Sequence, residues 1–210
     1  MKTKVDLKKW SRYETFKHYD MCTNPFIIVS VNIDITNLYN YAKKKELSIF
    51  SALGYMITKT ANEFEEFRYR KKGNDIYLYD SLMPNFTENI EGKEIYYFDV
   101  EYVDDIVIFD RNFKKIRDEY YNNGEKKILI NSLNEIWLSC APWYSINSLI
   151  PPFDKENTIP QFIWDKFKEE EGRVTTNLMI LIHHGFIDGY QIGTFYKKLE
   201  ENIKNIKGDE

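Results

Sequence analysis

The run Leu178-Met179-Ile180-Leu181-Ile182 has no polar member, so it reads as a strand buried on both faces and not as an amphipathic one. After Gly189 the period changes. Ile192, Phe195, Leu199, Ile203 and Ile206 recur every three or four residues, with Lys197, Lys198, Glu200 and Glu201 between them, which is the pattern of an amphipathic helix. His183, His184, Asp188 and Gly189 fall between these two segments. A buried strand, a tight turn and a helix make a rigid mount for a reactive side chain.

The same patterns run through the rest of the chain. Pro25 to Thr36 is rich in β-branched residues and predicts a strand, with Thr36 as the N-cap of a helix that follows. Ser48 begins a second helix, whose apolar face is Ile49, Leu53, Met56, Ile57, Thr60, Ala61 and Phe64. Lys71 to Asp75 predicts a hairpin turn, and 86–103 one or two more strands. Asp104 or Asp105 caps a helix carrying Ile106, Phe109, Phe113, Ile116 and Tyr120, which ends near Gly124. A strand stopped by Pro142 follows, then a loop bracketed by Pro151, Pro152 and Pro160, then a hairpin turning at Glu171-Gly172. With no repeat and no linker, residues 1–210 read as one α+β domain: a mixed β-sheet with helices packed on one side.

Composition narrows the function classes. Both charge signs are interspersed, the net charge is -4, and Tyr and Phe are abundant, which describes a globular protein with no nucleic-acid surface. Lys43-Lys44-Lys45 reads as the solvated end of a helix. The charged N-terminus lacks an apolar leader and no stretch approaches the ~18 apolar residues of a membrane span, so the expectation is a cytoplasmic protein with no membrane partner. Cys22 and Cys140 have no CxxC spacing and are expected to be reduced.

Three readings fit the two adjacent histidines. They can be satisfied polar residues at a strand end, with Asp188 a helix cap. They can bind zinc, although neighbours on a strand point to opposite faces and the HExxH pattern is missing, so the expectation is no metal. Or one imidazole can act as a general base.

The residues His183-His184-x-x-x-Asp188-Gly189 resemble the active-site motif of the chloramphenicol acetyltransferase family. The motif also occurs in peptide-synthetase condensation domains and, in a related form, in dihydrolipoyl acyltransferases. Other stretches select the family. Trp10 to Phe16 (WSRYETF) is similar to its Trp-x-Arg-x-Glu-His-Phe, with Thr15 in place of His. NIDIT, EFRYRKKGNDIYLYDSLMPNFT and SCAPWYSINSL follow in the family's order, the last matching its Ser-x-x-Pro-Trp. The resemblance covers essentially the whole chain.

That resemblance implies the CoA-dependent acyltransferase fold and an O-acetyltransferase that uses acetyl-CoA as co-substrate and chloramphenicol or a related hydroxylated small molecule as acceptor. It implies His184 as base, Ser139 as donor to the oxyanion, and Asp188 paired with Arg12. Trp143 and Phe167 are implied at the cofactor channel, and Tyr19, His18 and Ile27 at the acceptor. The family precedent is a homotrimer with active sites between subunits and direct transfer without an acyl-enzyme. His18, Pro25 and Ile27 stand where the chloramphenicol enzymes commonly carry Phe, Cys and Phe, and Ile163 or Trp164 where they carry a Thr. These departures leave open a different acceptor, a thiol or amine acceptor, or a CoA-binding relative without turnover. No lipoyl or linker segment is seen before the catalytic unit, which weighs against a dihydrolipoyl acceptor.

Overall fold

Strands and helices alternate irregularly along the chain in a computed structural model that describes residues 1–89, 95–123 and 133–206. In chain order the elements are β1 (Lys2–Lys4), α1 (Tyr13–Asp20), β2 (Phe26–Asp34), α2 (Thr36–Lys44), α3 (Ile49–Asn62), β3 (Tyr69–Lys72), β4 (Asp75–Tyr79) and β5 (Met83–Asn89). There follow β6 (Ile95–Asp99), α4 (Ile106–Asn123), β7 (Glu135–Ala141), β8 (Gln161–Asp165), β9 (Lys168–Glu170), β10 (Arg173–His183) and α5 (Gly189–Lys204). Seven strands form a sheet in the order β2-β10-β8-β7-β5-β6, with β9 paired to β10. Strand β7 runs parallel to β5 and β8, while the other pairings are antiparallel, so the sheet is mixed as expected. The strands β1, β4 and β3 form a separate small sheet.

The two-residue period of a strand decides which side chains meet the helices. Leu178, Ile180 and Ile182 of β10, Phe162 and Trp164 of β8, Ile136 and Leu138 of β7 and Phe86 of β5 all join the main core with α2, α3, α4 and α5. A β-carbon at Gly54 would lie 2.5 Å from the Phe86 ring, so the glycine lets α3 sit directly on the sheet. The opposite face of the sheet holds the alternate residues, among them Ser139, Ile163, Met179 and Leu181. A second, smaller cluster of Phe16, Tyr69, Ile76 and Phe186, with Trp10 beside it, joins α1 and the small sheet to the turn after β10.

Several details differ from the sequence expectations. Thr36 is the first residue of α2 and not its cap: the cap position is Ile35, which has no side-chain acceptor, and Asp34 before it accepts from the Thr36 N–H at 2.9 Å and from its hydroxyl at 2.6 Å. Of the two aspartates before α4, Asp105 is the cap, accepting from the N–H groups of Val107 and Ile108 at 2.9 and 2.8 Å. Asp104 instead takes the Lys59 ammonium at 2.9 Å. Ser48 does cap α3, accepting from Ser51 N–H. The turn at Glu171-Gly172 is where expected, both residues having positive φ. The end of α4 near Gly124, and the stretch 90–94 between β5 and β6, lie outside the described residues. Among the described residues no helix is long and apolar enough to cross a membrane.

Candidate active site

Strand β10 ends at His183, and the chain turns at once: His184 N–H donates to Pro25 O at 2.8 Å and Phe186 N–H to His183 O at 3.0 Å. A β-carbon at Gly185 would lie 2.8 Å from the Phe16 ring and 2.9 Å from the Phe16 Cα, so only glycine lets α1 pass this close. Asp188 then caps α5 in a capping box: its carboxylate accepts from Tyr190 N–H at 3.2 Å, and Gln191 Oε1 accepts from Asp188 N–H at 3.3 Å. The turn is held at both ends before any long-range contact is counted.

The half-buried His184 ring places Nδ1 3.0 Å from the Ile187 carbonyl oxygen. A carbonyl only accepts, so Nδ1 carries the proton of the neutral ring and Nε2 presents its lone pair. Tyr19 of α1 stacks on the imidazole, ring centroids 4.0 Å apart and planes 15° from parallel. Arg12 closes the turn from the other side, donating to Gly185 O at 3.2 Å, to Asp188 Oδ2 at 3.2 Å and to His184 O at 3.5 Å. Residues 172 or more apart in sequence therefore meet here. The Arg12 side chain is 18% exposed and that of Asp188 42%, so water reaches the acidic partner.

His183 has different surroundings. It is fully buried among the rings of Phe16, Phe26 and Phe186, and its Nδ1 accepts from Gly185 N–H at 3.1 Å. Burial pushes its pKa down to about 4, against the pull of the nearby Asp20 carboxylate, so at neutral pH it is an uncharged acceptor that shapes the turn. Among the described residues, no three His, Cys, Asp or Glu side chains converge as metal ligands would.

Ser139, Trp143 and Phe167 belong to the opposite end of the sheet. Ser139 on β7 pairs with Ile163 on β8, which pairs with Met179 on β10. His184 lies five residues beyond Met179 and two strands away from Ser139. With strands about 4.8 Å apart and a rise of about 3.3 Å per residue, the two Cα atoms are roughly 19 Å apart. Trp143, 66% exposed, follows β7, and Phe167 follows β8, packed partly on the main core. Within one chain the Ser139 region and the His184 turn therefore do not meet. His18 is exposed and sets its ring edge-on to Tyr19 at 5.1 Å. Ile27, expected at the acceptor, pairs with Ile182 and packs against the helix-side core, away from the Ser139 face.

The sequence reading missed the group that fixes the Ser139 end. Buried Asp165 accepts from Ile146 N–H, Asn177 N–H and Asn177 Nδ2, each at 2.8 Å, and from the Thr176 hydroxyl at 2.9 Å. Burial alone would raise this carboxyl, but the donors outweigh it and hold it below the usual carboxylate range. Asn177 also donates to Ile146 O at 3.2 Å, so segment 142–146 is pinned across the strand ends. A polar Asn at the head of the apolar run in β10 was the available signal, since a partly buried amide must find partners. Burial pushes the Cys140 thiol up to about 12, which disfavours the reactive thiolate.

Comparison with known proteins gives the family and the fold. The family described as chloramphenicol acetyltransferase matches residues 1–200. A chloramphenicol acetyltransferase of Clostridium perfringens is 26% identical over 97% of this chain and 95% of its own length. One from Clostridium butyricum is 29% identical over 94% and 92%. A solved chloramphenicol acetyltransferase superposes with a TM-score of 0.84 at 26% identity, covering 97% of this chain and all of the other. A probable dihydrolipoamide acetyltransferase from Listeria monocytogenes has a TM-score of 0.71 at 13% identity, with 93% and 91% covered, which is a likeness of fold alone.

Proposed function

Because the chain belongs to the chloramphenicol acetyltransferase family, we propose that it transfers the acetyl group of acetyl-CoA to a hydroxyl of chloramphenicol or a related hydroxylated small molecule, and so inactivates such an antibiotic. The observation that carries the reading is the 3.0 Å contact of His184 Nδ1 with Ile187 O, which leaves Nε2 as the lone-pair nitrogen of a ring in a turn that Arg12 and Tyr19 brace.

A hydroxyl is a weak nucleophile until a base takes its proton during attack. Nε2 of His184 accepts that proton as the hydroxyl oxygen bonds to the thioester carbonyl carbon. The carbonyl oxygen takes up the electron pair, and the Ser139 hydroxyl donates to the resulting oxyanion. Collapse expels the CoA thiolate, which takes the proton back from His184. Base and oxyanion donor are roughly 19 Å apart within a chain, so Ser139 must come from a second copy. A head-to-tail contact that closes into a ring, here a homotrimer, supplies one such pairing at every interface. Trp143 and Phe167 flank the end of the sheet that carries Ser139 and line the acetyl-CoA channel. Tyr19 and His18 lie on the side of His184 where the acceptor enters.

The test is CoA release from acetyl-CoA with chloramphenicol and a panel of hydroxylated acceptors. His184→Ala is expected to lower kcat by about 10³-fold while leaving acetyl-CoA binding close to normal, the usual contribution of a positioned base. Undiminished turnover in that variant would remove His184 from the mechanism.

A further inference from the structure

Behind the histidine turn lies an ion-pair knot that takes no part in the chemistry above. The Lys71 side chain, only 11% exposed, sets Nζ 2.8 Å from Asp20 Oδ1 and 3.0 Å from Glu156 Oε2. Its backbone N–H donates to Thr158 Oγ1 at 3.0 Å. One lysine on β3 therefore ties together the last residue of α1 and the segment that leads into β8. Burial works against its ammonium, but the two carboxylates outweigh that and keep it charged.

Asp20 Oδ1 also faces His183 Nε2, 3.7 Å away. Since Nδ1 of His183 accepts from Gly185, the neutral ring carries its hydrogen on Nε2, directed toward that carboxylate. Among the described residues Nε2 has no hydrogen-bond partner, so the Asp20 carboxylate acts on the ring through its charge at that distance. The residue before Asp20 is Tyr19, whose ring lies on His184. We propose that Lys71 is a positioning residue for the base: by holding Asp20 it keeps His183 an acceptor for Gly185 and keeps Tyr19 stacked on His184. The proposal rests on His184 being the base.

The charged and titratable groups facing His183 are Asp20 from α1, Lys71 from β3 and His184 next in the chain, and the aromatic rings around it carry no charge. Without the ammonium, Asp20 faces His183 uncompensated and favours the imidazolium. An imidazolium has a hydrogen on both nitrogens, so it cannot accept from Gly185 N–H, and the turn carrying His184 loosens. Asp20 and Lys71 also border an open cavity of about 230 Å³.

The experiment compares Lys71→Met, Lys71→Arg and the double change Asp20→Asn with Lys71→Met in the full chain. It measures kcat and KM between pH 5 and 8 and follows the imidazole nuclear resonances of His183 and His184. With only three histidines, His→Gln variants assign the signals. Lys71→Met is expected to lower kcat by about 10-fold with KM for acetyl-CoA nearly unchanged, the loss deepening as pH falls, and to raise the titration midpoint of His183 by about one unit or more. Lys71→Arg should restore most of the rate, and the double change should abolish the extra acid sensitivity. If Lys71→Met titrates and turns over as the parent does, the proposal is wrong. Should that variant not fold, the double change decides: if it loses activity toward low pH more steeply than the parent although both charges are gone, the idea is wrong. The His183 resonances need no turnover, so this outcome is separate from failure of His184 as base, which only His184→Ala reads.

Discussion

His183 makes the stability of the fold depend on pH in a window that carboxylates do not reach. An unfolded chain protonates this histidine as pH falls through the ordinary value near 6.5, whereas the buried ring takes a proton only near 4. Between those values the unfolded state binds more protons, so stability falls as pH falls, by about 2–3 kcal/mol across the window. Asp34 and Asp165 work in the same direction at lower pH: their hydrogen bonds outweigh burial and hold both carboxyls low, so their contribution persists until pH drops below the ordinary carboxylate value. Denaturant midpoints measured at pH 7, 5.5 and 4.5 are expected to decline steadily in the parent and to decline much less in His183→Gln. Equal slopes would show that His183 takes up its proton without resistance from the fold.

Arg12 and Asp188 join α1 to the first turn of α5, and their worth depends on what else each end retains. Asn caps a helix about as well as Asp, so Asp188→Asn keeps the α5 cap and removes only the ionic contact. At 42% exposure the Asp188 carboxylate is too wet for the 3–5 kcal/mol of a deeply buried pair, and a loss of about 1–2 kcal/mol is expected. Activity should fall further, by about 10- to 100-fold, because the turn loses a support and a base displaced by an angstrom costs heavily in rate. Combining Asp188→Asn with Arg12→Met should recover part of the stability, since Arg12 is then no longer left without its counter-charge. Strictly additive losses in denaturant unfolding would show that the two residues do not interact.

The separation of Ser139 from His184 gives the proposed assembly its own test. Ser139→Ala alone is expected to lower kcat by about 10²-fold, the usual cost of one oxyanion donor. When Ser139→Ala and His184→Ala chains are dissociated together and reassembled at equal amounts, about a quarter of the interfaces in a ring should pair an intact His184 with an intact Ser139. Activity should then rise toward a quarter of the parent value, far above either variant. If the mixture shows only the average of its two components, the site is not shared between copies and the homotrimer reading fails.

Local pattern was enough for most elements and for the strand, turn and helix that mount His184. The apolar run of β10, the period of α5, the Ser48 cap and the Glu171-Gly172 turn are all short-range statements, because a strand, a helix and a tight turn are each written in neighbouring residues. The motif around His184 and the pairing of Arg12 with Asp188 were legible through the family resemblance, which carries long-range information that periodicity lacks. Caps between similar candidates were less legible: Thr36 Oγ1 is taken by Val174 N–H and Asp104 by Lys59, partners distant in sequence, which leaves Asp34 and Asp105 at the helix starts. Only tertiary structure decided that Ile27 faces the helices, that Asp165 pins 142–146, and that Lys71, Asp20 and His183 form one cluster. The distance of Ser139 from His184 is of the same kind. Each of these follows from strand register and from side chains distant in sequence, and a one-residue shift in register would turn every side chain of a strand to the other face.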